Sequence, residues 1–154
     1  MLPERFPRRT PMSTNLLPPS AKFRSEILPA MDEYLADPLS ERRANNLARA
    51  IDHHLDWTFA YYDRGDRSRL MGASNLSDFR QKLFALCPEL RMMWDLSDAA
   101  HHRFLDRPAT PARVVVVSSM AYSTQDSTLF VADYDRPFRD AVPQAVDFWR
   151  RWHD

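Results

Sequence analysis

The chain has 154 residues, the length of one ordinary domain, and 44% of them are hydrophobic, which is enough for a core without disulfides. Lys+Arg and Asp+Glu number 21 each, so no net charge favours nucleic acid or a membrane surface. A single cysteine, Cys87, excludes an internal disulfide and zinc sites built on several thiolates. Two glycines are too few for a phosphate-binding loop, which excludes P-loop and dinucleotide-binding fingerprints.

Cysteine usage and hydropathy predict a cytoplasmic protein. One unpaired cysteine is typical of a reducing compartment. The N-terminal residues lack the apolar segment of a secretion signal, and the apolar runs are too short to span a bilayer. We therefore expect no membrane association.

Five prolines in the first 20 residues predict a flexible arm over 1–20, followed by a single domain over 21–154. The arm has two alternative interpretations. It can grip a partner subunit, or translation can begin at Met12, in which case residues 1–11 are not part of the native protein.

Hydrophobic residues then recur at helical spacing. The first helix is predicted over 21–36, where Pro29 either kinks the helix or begins a shorter one. Asp37 and Pro38 are typical of an N-cap and a first helical residue, so they predict the start of a second helix that runs to about Asp63.

Both glycines fall in a predicted loop over 63–74. Asn75 or Ser77 is expected to cap a third helix, which Pro88 ends. Pro88 also opens a fourth helix, which runs to about Leu105.

The pattern changes after this fourth helix. β-branched residues over 113–122 and 128–134, joined by a polar link, predict a β-hairpin. A final helix is predicted from about Asp140 or Pro143 to His153. The predicted fold class is therefore α+β and mainly α: a bundle of about four helices followed by a β-hairpin and a C-terminal helix.

Two histidine doublets, His53-His54 and His101-His102, are the first candidates for chemistry, because imidazole binds metals and transfers protons near neutral pH. Adjacent side chains on a helix point about 100° apart, so a doublet cannot direct both rings to one small site. The apolar stripes place His54 and His101 on the core side. We expect these rings to be structural parts of the helical scaffold.

A metal site within the bundle is an alternative, with one His of each doublet and Asp98, Asp52 or Asp56 as ligands. Metal sites in bundles typically use several Glu and a Glu-x-x-His motif, which this chain lacks. We therefore predict no metal and no other cofactor. Asp98 and His102 lie four residues apart on one helical face, which makes them a candidate acid–base pair.

A cationic loop over 64–69 follows Tyr61 and Tyr62. Basic and aromatic side chains together can bind single-stranded RNA. We favour the alternative, a solvated loop whose arginines pair with its own aspartates.

The predicted fourth helix is rich in Asp and ends in Ala99-Ala100-His101-His102, after a long helical lead. Over about 40–107 this layout resembles the helical core of HEPN-type proteins, and also small bacterial proteins in which a hairpin and a Trp-containing helix follow. The resemblance implies a metal-independent ribonuclease of a toxin–antitoxin or phage-defence system, with an active site formed across a dimer.

The signature of that family is an Arg four to six residues before a His. His101 and His102 have no Arg at that spacing. Arg49 stands at that spacing before His54, so the resemblance implies Arg49 and His54 as the catalytic pair.

These observations favour a small cytoplasmic bacterial protein that is a non-catalytic interaction module. It would bind a protein partner or form a homodimer through a helical face rimmed by aromatic residues. One alternative is the HEPN-like ribonuclease, in which Arg49 stabilises the phosphate and His54 moves the 2′-hydroxyl proton. The other is a metal-binding bundle. If the protein is an enzyme, the candidate catalytic residues are Arg49, His54, Asp98 and His102.

Overall fold

The computed structural model describes residues 16–105, 114–118, 127–131, 134 and 136–154, and it describes their side chains except at 99–105, 114–118, 127, 128 and 130. This part of the chain is mainly helical, as predicted, with five helices and two short strands. None of its helices combines the length and the apolar character needed to cross a membrane.

Helix α1 covers residues 19–36 and contains a π-helical turn. It consists of the segments Pro19–Lys22, π-helical Phe23–Ile27 and Leu28–Ala36. Pro29 lies two residues after the π-helical turn, and its missing N–H interrupts the regular bonding of the helix. The helix begins at Pro19, inside the region predicted as the arm, because proline suits a first helical position. Residues 16–18 precede the helix, and residues 1–15 of the predicted arm lie outside the described residues.

Helix α2 covers Glu41–Asp63 and begins later than predicted. Its N-cap is Ser40, whose Oγ accepts a hydrogen bond from the Arg43 backbone N–H at 3.2 Å. The predicted cap at Asp37 is wrong because residues 37–40 close a turn, with the Ser40 N–H bonded to the Asp37 carbonyl at 3.1 Å, so that the helix begins only after Ser40. Asp37 instead ends α1, with its N–H bonded to the Tyr34 carbonyl.

The connection between α2 and α3 is the predicted loop, with one 3₁₀ turn at Arg67–Leu70. Arg67 forms an ion pair with Asp63, as favoured for this loop. Arg69 donates from Nη2 to the carbonyl of Trp152 at 2.8 Å, so the loop also binds the C-terminal end of the chain.

Helices α3, Leu76–Leu86, and α4, Pro88–Leu105, follow with the predicted boundary at Pro88. Asn75 caps α3: its Oδ1 accepts from the Asp78 N–H at 2.8 Å. The choice between Asn75 and Ser77 is thereby decided.

Strands β1, Val114–Ser118, and β2, Ser127–Val131, pair antiparallel with Val114 opposite Val131. Their connection lies outside the described residues, so the hairpin as a whole stays a prediction. Helix α5 covers Phe138–His153 and begins before the predicted Asp140 or Pro143, since the buried Phe138 already packs in its first turn.

Helix α2 is the centre of the fold, because it packs against α1, α3, α4, α5 and β1. Its apolar stripe lies in the core with Leu47, Ile51 and Leu55 almost fully buried. Because α2 is surrounded by other elements, polar residues beside its apolar stripe also lie next to neighbouring helices.

The candidate polar cleft between helices α2, α3 and α4

A polar stripe runs along α2 beside its apolar stripe. Arg49, Asp52, His53 and Asp56 follow the i, i+3, i+4, i+7 spacing that places residues on one helical face. Opposite them, α3 contributes the guanidinium group of Arg80, and α4 contributes the side chains of Trp94, Ser97 and Asp98. These eight residues line a cavity of about 500 Å³: Arg49, Asp52, His53, Asp56, Arg80, Trp94, Ser97 and Asp98. We call this cavity the polar cleft; its volume lies within the range of small-molecule sites, roughly 300–1,000 Å³.

Arg80 of α3 is held in one position in the polar cleft. Its Nη2 donates to Asp56 Oδ1 at 2.5 Å, and its guanidinium carbon lies 5.9 Å from the centre of the Trp94 ring. Its Nε is buried and has no hydrogen-bond partner among the described residues. Arg80 therefore ties three helices together and leaves one donor unsatisfied.

Asp52 is the most unusual group in the polar cleft. It is only 9% exposed, although a carboxylate is costly to bury. Burial raises its pKa to about 7; the neighbouring Asp56 and Asp98 carboxylates act in the same direction, while Arg80 and a hydrogen bond with Ser97 oppose it. Its Oδ1 has no hydrogen-bond partner within the described part of the chain. Asp52 can therefore gain or lose a proton near neutral pH.

Arg49 and His53 lie at the rim of the polar cleft, and both side chains are exposed. Partial burial lowers the pKa of His53, with the Arg49 and Lys22 charges contributing and Asp56 opposing. The His53 ring is therefore neutral at pH 7 and can accept a proton or a hydrogen bond.

His54 occupies the opposite side of α2, in the core. Its Nε2 lies 2.8 Å from Nε2 of His153 on α5, and its ring centre lies 4.6 Å from that of Trp149. Burial lowers the pKa of His54 to about 3 and that of His153 to about 4. The two rings therefore form a neutral hydrogen-bonded pair that joins α2 to the end of α5.

The structure separates the predicted catalytic residues. Arg49 and Asp98 line the polar cleft, whereas His54 is 1% exposed beside His153 and is not among the lining residues. The placement of His54 on the core side is confirmed. His102 lies in α4, but its side chain and that of His101 lie outside the described side chains.

Sequence reasoning missed three cleft residues: Trp94, Ser97 and Arg80. The first two, with Asp98, repeat on α4 the i, i+3, i+4 spacing of the polar stripe on α2. That second polar stripe is a signal that the sequence contains. No comparable local signal distinguishes Arg80, which reaches the polar cleft from α3 through the tertiary packing.

The described residues also bear on metal binding and on thiol chemistry. Among the residues the structure describes, no group of three or more His, Cys, Asp or Glu side chains is arranged to hold a metal ion. Burial, together with the nearby Glu89, raises the pKa of Cys87 to about 11. Its thiol therefore stays protonated at neutral pH and is a poor nucleophile.

Comparison of the chain with protein-family models, with curated proteins and with solved structures finds no match. The HEPN resemblance thus rests only on the residues quoted for it and stays a prediction. Function has to be argued from the chemistry of the polar cleft itself.

Proposed function

We propose that this protein is a non-catalytic binding module and that the polar cleft holds its ligand. The observation that carries this proposal is Asp52, a buried carboxyl group that lines the cleft with one oxygen unpaired. An unsatisfied buried polar atom costs about 1–3 kcal/mol. A ligand that donates a hydrogen bond to this carboxyl group would remove that cost.

The rest of the polar cleft supports binding because it is already organised. The Arg80–Asp56 ion pair and the contact of Arg80 with Trp94 fix the walls. Ser97, itself 5% exposed, holds Asp52 by a hydrogen bond. Side chains that are fixed before binding lose little conformational entropy when a ligand arrives.

A screen of small polar molecules by NMR tests this proposal. We expect members of a panel of amines, carboxylates, nucleosides and sugars to shift the backbone amide signals of Asp52, Asp56 and Ser97. His53→Trp would fill the mouth of the polar cleft and weaken such binding at least tenfold. Arg42→Trp is the matched control, since Arg42 is an exposed residue of α2 that does not line the cleft.

The binding proposal would be contradicted by a panel in which no member shifts the cleft signals. It would also be contradicted if the two tryptophan variants weakened binding equally. Either result would mean that the polar cleft is only a solvated gap between helices.

Metal-independent cleavage of RNA is the second candidate function, and the shared position of Arg49 and His53 favours it. In this scheme the neutral His53 takes the 2′-hydroxyl proton while the 2′-oxygen attacks phosphorus. The bond from phosphorus to the 5′-oxygen breaks, the 5′-oxygen takes a proton from solvent water, and a 2′,3′-cyclic phosphate remains; Arg49 offsets the charge of the strained phosphate. His53 thus replaces the His54 expected from the sequence.

Cleavage of a fluorescent RNA oligonucleotide in the presence of EDTA tests this second candidate. Removal of a general base or of a charge-stabilising group costs about 10²-fold in rate or more. His53→Ala and Arg49→Ala should each slow cleavage by that factor, while Arg42→Ala should not. RNA that stays intact with micromolar wild-type protein would exclude this function.

The homodimer, the protein partner, the bacterial origin and the cytoplasmic location also stay predictions. A surface that could serve an interface exists at the turn between α1 and α2, where Leu35 is 57% and Leu39 is 44% exposed. Two leucines are a smaller apolar area than a stable interface requires. We therefore base the proposed function on the polar cleft and not on this turn.

A further inference from the structure

The charges of the polar cleft indicate a class of ligand. Three carboxyl groups line the cleft, from Asp52, Asp56 and Asp98, against the guanidinium groups of Arg49 and Arg80. Arg80 is already neutralised by Asp56, and Arg49 is exposed at the rim. Asp52 is therefore the buried acidic group of the cleft, whereas Arg49 places a positive charge at its mouth.

We propose that the ligand of the polar cleft carries a guanidinium or ammonium group and that the Asp52 carboxylate receives it. This inference rests on the proposed binding function and adds the chemistry of the ligand. A guanidinium or ammonium group has only hydrogen-bond donors, which suits an unpaired carboxylate oxygen. An anionic group on the same ligand would lie near Arg49 at the mouth.

An organic cation fits the polar cleft better than a metal ion. A cavity of about 500 Å³ holds a molecule of many atoms, and the Trp94 indole is among its lining groups. A metal ion needs several ligand atoms converging within about 2–3 Å of one point. Within the described residues no such group of acidic or imidazole side chains exists.

Binding of a cation should be coupled to loss of a proton from Asp52. The groups facing Asp52 are Arg49, His53 and Asp56 on its own helix, Arg80 on α3, and Ser97 and Asp98 on α4. Since its pKa is about 7, Asp52 is mostly protonated at pH 6 and mostly ionised at pH 8. The cation prefers the ionised form, so its affinity should be about tenfold higher at pH 8.

Titration of the full chain with methylguanidinium chloride, followed by NMR at pH 6 and pH 8 and constant ionic strength, tests this inference. We expect the Asp52 and Ser97 amides to shift, with a Kd about tenfold lower at pH 8. Asp52→Asn should abolish binding at both pH values. Asp147→Asn should change nothing, because Asp147 is exposed on α5 and pairs with Arg150. His53→Gln should keep the pH dependence, which separates Asp52 from the neighbouring imidazole.

Two further probes distinguish failure of the cation inference from failure of the binding function. They also show whether the cation belongs to a small molecule or to a protein side chain. If methyl phosphate shifts the same amides and methylguanidinium does not, the cleft is a binding site but the inferred cation is wrong. If neither probe shifts them, this inference is contradicted, while the binding function is contradicted only if the wider panel of amines, carboxylates, nucleosides and sugars also fails to shift them. A blocked Gly-Arg-Gly peptide that binds more tightly than methylguanidinium would support the inference and assign the cation to a protein side chain.

Discussion

Acidification from pH 7 to pH 4.5 should lower the free energy of unfolding of the wild-type chain more than that of a His54→Gln/His153→Gln variant. We expect a difference of about 2 kcal/mol or more from the titration of His54 alone. The pKa of His54 is about 3 in the folded chain, below its ordinary value of 6.5. The unfolded chain therefore binds the proton first, and stability is lost as the pH falls below 6.5. Glutamine keeps hydrogen-bonding groups at both positions and does not titrate in this range.

Urea denaturation at the two pH values measures this difference. Only its change with pH is used, because the substitutions also alter the packing against Trp149 and Phe23. His53→Gln is the matched control: His53 is exposed, so its change with pH should be much smaller. A double variant that follows the wild-type chain at both pH values would show that the buried imidazole pair is not kept neutral by the fold.

Asp52→Asn should stabilise the protein at pH 8.5 by about 2 kcal/mol or more and have little effect at pH 4. The pKa of Asp52 is about 7 in the folded chain, above its ordinary value of 3.8. Between these values the folded chain holds the proton more tightly, so stability is lost as the pH rises towards and through 7. Asparagine has a similar shape and carries no charge, so the cost of ionising a buried group is removed.

The same denaturation series tests this expectation, with Asp147→Asn as the control. That substitution should stay within about 0.5 kcal/mol of the wild-type chain, as is usual for an exposed position. If Asp52→Asn were less stable than wild type at pH 8.5, partners would have to stabilise the Asp52 carboxylate in the folded chain. If the substitution stabilises the protein and abolishes cation binding, Asp52 is retained for function at a cost in stability.

Protonation of Asp52 and protonation of the histidine pair change the stability of the folded chain in opposite directions between pH 7 and pH 4.5. Protonation of Asp52 favours the folded chain in this range, whereas protonation of His54 and His153 favours the unfolded chain. The free energy of unfolding of the wild-type chain should therefore depend less on pH than that of Asp52→Asn or that of the His54→Gln/His153→Gln variant. Asp52→Asn removes the opposing contribution, so its loss of stability with acid should be steeper than that of the wild-type chain.

Helix boundaries were predictable where one residue type determines the local backbone. Pro88 both ends α3 and opens α4, and the α4 boundaries agree with the prediction. The start of α2 was predicted wrongly, because Asp37 and Ser40 are both favourable N-cap residues and residue type alone does not decide between them. The backbone decides between them: the Asp37 carbonyl closes a turn with the Ser40 N–H, and the Ser40 side chain accepts from the Arg43 N–H.

The candidate site was predictable only in part, because most of it depends on tertiary contacts. The periodic pattern separates His53 from His54 and places His54 in the core. It does not reveal that His54 meets His153, 99 positions away. Likewise, nothing local to Asp52 indicates that Ser97 and Arg80 surround it, and their neighbourhood is what makes this carboxyl group unusual.

The carbon-13 chemical shift of the Asp52 carboxyl group, titrated with pH by NMR, tests the central claim most directly. The titration is run on the protein alone and again with saturating methylguanidinium. We expect a midpoint near pH 7 for the protein alone, and a clearly lower midpoint when the cation is present. A midpoint near the ordinary aspartate value, or one that methylguanidinium does not move, would contradict it.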